Sequence, residues 1–115
     1  MTIKGSNITV MVKDMDASVA FYQSIGMTLH QRWGNHYAQL TASGITVGLH
    51  PFETTKVAKG SGNVSIGFTT DDFDNCKASL EKLQINITER KEEGGDFLHF
   101  DDPDGTALYF IKPKW

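Results

Sequence analysis

The sequence predicts an α+β fold built from two βαβββ modules, whose eight strands form an open, curved sheet around a cavity. Two observations carry this prediction. The order of alternating strands and amphipathic helices repeats after one interruption, with Asn7 matching Ser65 at an offset of 58 residues and Gln39 matching His99 at 60. A near-constant offset of this kind marks a duplicated unit. The second observation is the length of 115 residues, enough for one domain with its own core and too short for two ordinary ones.

The elements follow in order. Ile3 to Val12 alternates in its later part, Ile8, Val10 and Val12 against Asn7, Thr9 and Met11, and reads as a strand. Asp14 or Asp16 can cap a helix carrying Val19, Tyr22 and Ile25, which Gly26 ends. Three strands are expected next, at Met27–Trp33, His36–Thr41 and Ile45–His50, with Gly34-Asn35 and Ser43-Gly44 as tight turns. Residues 51–62, with a proline, two glycines and no apolar period, read as a linker. Val64, Ile66 and Phe68 then start the second module. Asp71 or Asp72 caps a helix placing Phe73, Cys76, Leu80 and Leu83 on one face. Strands at Ile85–Glu89, Asp96–Asp101 and Thr106–Ile111 complete it, the last two joined by the turn Asp102-Pro103-Asp104-Gly105. One domain over 1–115 is therefore expected, with module one at about 1–50, the linker at about 51–62 and module two at about 63–115.

Composition excludes several functions. The hydrophobic share of 39% and charged share of 22% are those of a globular protein. A net charge of −3 with scattered Lys and Arg argues against nucleic acid as a partner. No apolar segment reaches membrane-spanning length, and Met1 to Val10 lacks a signal-peptide core, so no membrane partner and a cytoplasmic location are expected. Cys76 is the one cysteine, which rules out an internal disulfide; on the apolar helix face it reads as a buried structural thiol.

Each module covers one sheet face with its own helix, and the other face must meet something else. That second face carries Asn7, Thr9, Met11, Gln39, Gly48, His50, Ser65, Gly67, Thr69, His99 and Tyr109. The mixture is too polar for simple packing and suits the wall of a small-molecule pocket.

At this point the residues resemble a known group. Val12-Lys13-Asp14-Met15-Asp16-Ala17-Ser18-Val19-Ala20-Phe21-Tyr22 with Ile25-Gly26-Met27 is similar to the opening of the glyoxalase/bleomycin resistance protein/extradiol dioxygenase (vicinal oxygen chelate) superfamily. Phe68-Thr69-Thr70-Asp71-Asp72 and Asp101-Asp102-Pro103-Asp104-Gly105 agree in the second half. Members of the group that use a divalent metal hold it with residues on the first and fourth strand of each module. The resemblance places those positions on Asn7, Gly48, Ser65 and Tyr109. None is a good ligand, because such metals take imidazole, carboxylate or several converging oxygens at ~2 Å. The resemblance then implies no metal and no cofactor, as in bleomycin-binding members. Gly48 reads as opened volume, for a bulky ligand or for Tyr109 to fill.

The expected function is binding of a small molecule in a metal-free cavity. The expected ligand-binding residues are Asn7, Thr9, Trp33, Tyr37, Gln39, Gly48, His50, Ser65, Phe97, His99 and Tyr109. The alternative is a lyase, isomerase or dioxygenase of the superfamily using His50, His99 or Tyr109, or a non-standard metal site. His50 faces the cavity two residues after Gly48 but has no partner carboxylate at an obvious spacing, which favours ligand contact over catalysis. His30 and His36 are expected in solvent. The resemblance also implies a homodimer.

Overall fold

The computed structural model describes residues 1–51 and 64–114, and the chain divides into two compact units, Met1–Ala58 and Lys59–Trp115. The expected linker lies almost wholly outside the described residues; only Pro51 falls within them.

The first unit runs β1 (Ile8–Val12), α1 (Met15–Ser24), β2 (Thr28–Trp33), β3 (Tyr37–Ala42) and β4 (Ile45–Pro51). Its sheet has the order β1-β4-β3-β2, parallel between β1 and β4 and antiparallel elsewhere. The second unit repeats this with β5 (Ser65–Thr69), α2 (Phe73–Lys82), β6 (Thr88–Glu92), β7 (Gly95–Asp101) and β8 (Ala107–Pro113), in the order β5-β8-β7-β6. The α+β class and the twofold βαβββ pattern are those the sequence predicts.

Both helices are bounded by the same chemistry. Asp14 accepts from the Ala17 amide at 3.1 Å and Asp72 from the Asn75 amide at 3.3 Å, so each caps the third helical residue. At the far ends the Met27 amide bonds the Tyr22 carbonyl and Gly26 that of Gln23, while Ile85 bonds Leu80 and Gln84 bonds Glu81. These are paired Schellman closures, which need a left-handed residue after the cap. Gly26 provides it at φ 112°, and Gln84 takes the same role at φ 61° without glycine's freedom.

The core of each unit lies between helix and sheet. Val10, Val12, Ala38, Leu40, Val47 and Leu49 alternate onto the face packed by Met15, Val19 and Tyr22 of α1. Ile66, Leu98, Phe100 and Leu108 do the same beneath Phe73 and Leu80 of α2. A bulge at His30 in β2 shifts the alternation by one. It turns Arg32 toward the helix side, where the guanidinium donates to Asp16 at 2.5 Å, to Asn35 at 2.9 Å and to the Gly34 carbonyl at 2.7 Å. The same shift sends Gln31 and Trp33 to the opposite face.

Several expectations are corrected. The first strand spans only Ile8–Val12, since Gly5, Ser6 and Asn7 have weak strand preference. The strand expected at Ile85–Glu89 begins at Thr88, because Gln84 and Ile85 are consumed in closing α2. Leu83 is the C-cap and 44% exposed rather than core. Cys76 is half-buried, not buried, and its thiol donates to the Thr70 hydroxyl at 3.3 Å. Among the described residues no helix is long and apolar enough to cross a membrane.

Candidate ligand-binding faces

Strand register decides which side chains share the helix-free face of each sheet. In the first unit Thr9, Gly48, Gln39 and Gln31 form one row across β1, β4, β3 and β2. Beside it, Met11 pairs with His50 and Tyr37 with Trp33. Trp33 is 50% exposed, and its ring centroid lies 5.7 Å from that of Tyr37. The His50 Nδ1 lies 2.7 Å from the Pro51 carbonyl. A carbonyl can only accept, so Nδ1 is the donor in this contact. His30 and His36 are exposed, as expected.

In the second unit the corresponding row is Gly67, Tyr109, His99 and Thr88. Phe97, two residues before His99 in β7, shares the same face. Phe97 and His99 stack at 5.5 Å with 10° between planes, and Tyr109 lies 5.8 Å from Phe97 and 5.6 Å from His99. Three expected ligand-binding residues thus form one aromatic platform on the face of the sheet that α2 does not cover. All three are half-buried, so their rings are held yet reachable.

Glycine makes both faces possible. A Cβ on Gly48 would collide with the Tyr37 ring, and a Cβ on Gly67 with the Tyr109 ring. The expectation that Gly48 opens volume is therefore corrected. The space is filled, and by Tyr37 rather than by Tyr109, whose own ring lies over Gly67. Gln39 donates to the Tyr37 hydroxyl at 3.4 Å, steadying that ring over the glycine.

The superfamily's metal positions fail a test of fit within each unit. In the first, Asn7 lies just before β1, while Gly48 has no side chain and is covered by an aromatic ring. In the second, Ser65 offers a hydroxyl, and Tyr109 is engaged with Phe97 and His99. Among the described residues no three His, Cys, Asp or Glu side chains are grouped to hold an ion. His50 and His99 belong to different units.

Sequence reasoning missed a recess of about 480 Å³ in the second unit. It lies where residues 85–88 approach the β7–β8 hairpin, and Asn86, Thr88, His99 and Asp101 are the polar residues in its wall. Asp101 was legible: it follows His99 by two residues in one strand and so shares its face. Asn86 and Thr88 were hidden by the displaced start of β6. A recess of about 500 Å³ in the first unit has Ser6, Asn7, Thr41 and Thr46 in its wall and no charged residue.

Comparison with known proteins agrees with this architecture. Over its length the chain is similar to a glyoxalase/bleomycin resistance protein/dioxygenase domain from Frankia sp. EAN1pec, at 20% identity and TM-score 0.80, covering 99% of this chain and 100% of that one. It is similar to a bleomycin-binding protein solved with bleomycin, at 19% identity and TM-score 0.75, covering 97% and 100%. It is similar as well to a genomically encoded fosfomycin resistance protein from Listeria monocytogenes, at 21% identity and TM-score 0.80, covering 99% and 96%. At such identities these likenesses establish the fold. The family model of the Glyoxalase/Bleomycin resistance protein/Dioxygenase superfamily matches residues 6–110, and the chain belongs to that superfamily.

Proposed function

We propose that this protein binds a planar small molecule on the helix-free sheet faces and does so without a metal. The observation that carries the reading is the platform of Phe97, His99 and Tyr109, three rings packed on each other on a face that no helix of the unit covers. Rings so arranged offer a flat apolar surface for stacking, with the Tyr109 hydroxyl and the His99 nitrogens as polar handles. Trp33 and Tyr37 give the first unit a smaller aromatic surface, beside Gln39 and His50. Asn7, Thr9, Gly48 and Ser65 act as wall and spacing residues, not as ligands to a cation. The bleomycin-binding protein solved with bleomycin is the precedent for binding of a ligand on this fold. We infer a cytoplasmic homodimer as the working form, with neither nucleic acid nor membrane as partner.

The test is a thermal-shift screen of bleomycin-type glycopeptides, planar metabolites and divalent metals, paired with elemental analysis of protein purified without chelator. A binder at a hundredfold excess over its Kd stabilises by about 2.7 kcal/mol. Binding that falls on substitution of Phe97 or Tyr109 supports the reading. Stoichiometric zinc, nickel, manganese or iron overturns the metal-free part, and a monomer by size exclusion with light scattering overturns the dimer.

A second reading, metal-free acid–base catalysis, is favoured by one observation: His99 and Asp101 line the same recess. It requires turnover of a screened compound that is lost in His99→Ala.

A further inference from the structure

The recess beside the platform carries a charge that the equivalent register position of the first unit lacks. Gln39 and His99 occupy equivalent register positions, so Thr41 and Asp101, two residues further along each strand, are also equivalent. The first unit therefore presents a neutral hydroxyl where the second presents a carboxylate. Asp101 is not committed to the adjacent turn. That task falls to Asp102, whose carboxylate accepts the Asp104 amide at 2.9 Å and the Thr106 amide at 2.8 Å. Asp101 is exposed on the other face of the strand, and among the described residues no hydrogen bond or ion pair engages its carboxylate. Asn86 and Thr88, with an amide and a hydroxyl side chain, line the same recess.

His99 belongs to both features, stacked on Phe97 and lining the recess. The platform and the recess therefore adjoin at His99. Three residues with oxygen-bearing side chains, one of them anionic, line the recess beside an aromatic surface. The matching group is a cation with several N–H donors, a primary ammonium joined to the ring by a short chain.

We propose that the Asn86–Thr88–His99–Asp101 recess binds the ammonium head of a planar aromatic amine. This rests on the platform being a binding surface, and it names the class of ligand that surface takes. Phe97 and Tyr109 hold the ring, Asp101 selects the charge, and Thr88 and Asn86 accept the remaining N–H groups.

The experiment is isothermal titration calorimetry of the full chain with three indoles of similar size at pH 7.5: tryptamine (cationic), 3-ethylindole (neutral) and indole-3-propionate (anionic). Tryptamine is expected to bind at least about tenfold tighter than 3-ethylindole, the scale of a charged hydrogen bond, with indole-3-propionate weakest. Asp101→Asn, at an exposed position, is expected to remove the preference for tryptamine while leaving 3-ethylindole affinity unchanged. Thr88→Val, of matched shape, is expected to weaken tryptamine alone, and circular dichroism checks that both variants fold. Equal binding of tryptamine and 3-ethylindole, or a preference that survives Asp101→Asn, overturns this proposal and leaves the platform standing. Failure of all three indoles to bind overturns the platform reading and this proposal with it.

Discussion

Gly67→Ala is the most informative single substitution in the second unit. A methyl group at this position would overlap the Cζ, Cε2 and hydroxyl atoms of Tyr109. The backbone here is ordinary strand, so the collision is the only objection; removing glycine's freedom from the unfolded chain would by itself stabilise by about 0.4–1 kcal/mol. Against that stand two losses. Overpacking a fitted site costs about 1–3 kcal/mol. If the ring swings away instead, its pairings with Phe97 at 5.8 Å and His99 at 5.6 Å are lost, at about 0.5–1.5 kcal/mol each. The net expectation is destabilisation of about 1–2 kcal/mol, read as a lower midpoint in urea unfolding followed by circular dichroism. The mechanism is isolated by a double-mutant cycle with Tyr109→Ala, which should be less damaging in the Gly67→Ala background than in the natural one. A Gly67→Ala protein as stable as the natural one, with additive effects in the cycle, would refute the ring-over-glycine packing.

Three further outcomes follow from the helices and their surroundings. Gln84→Gly should raise stability by about 0.5–1 kcal/mol in the same assay, since Gln84 closes α2 at φ 61° where Gly26 closes α1 at leisure; a loss of stability would contradict it. Asp72→Ala and Asp14→Ala should each cost about 1 kcal/mol through a lost N-cap, whereas Asp71→Ala and Asp16→Ala should leave the caps intact, which amide exchange at Asn75 and Ala17 will report. The hydrogen bond and charge of Glu89 raise the Lys77 amine above its ordinary 10.5, so their coupling is complete below that pH and is lost as pH climbs through the higher folded value. The stability gap between natural protein and Lys77→Met should therefore shrink between pH 9 and pH 12, and a gap unchanged over that range would contradict the pairing.

The repeat was legible because both copies obey the same short-range rules. Asp14 and Asp72 stand where a capped helix must start, and alternation at Val10, Val12, Ile66 and Leu108 marks the buried sheet face. Three features escaped. The His30 bulge reverses inside and outside midway along β2, and nothing in Thr28–Trp33 announces it. Gln84 was unexpected as a helix terminator because a left-handed residue there is usually glycine. The displacement of β6 followed from that missed closure, and it concealed Asn86 and Thr88. In the candidate site, face membership came from periodicity alone, which put His99 and Tyr109 on one face, while Phe97 was expected only as an aromatic of a lining strand and shares that face in the structure. That Tyr37 rather than Tyr109 lies over Gly48 depends on rotamers and cross-strand register, which periodicity does not encode.

The most direct measurement is aromatic ¹³C–¹H spectroscopy of the protein during titration with whichever compound gives the largest thermal shift, in metal-free buffer. Saturable shifts at Phe97, His99 and Tyr109, unchanged by added chelator, are the predicted result. Shifts confined to the helix sides of the sheets, or binding that vanishes with chelator, would contradict it.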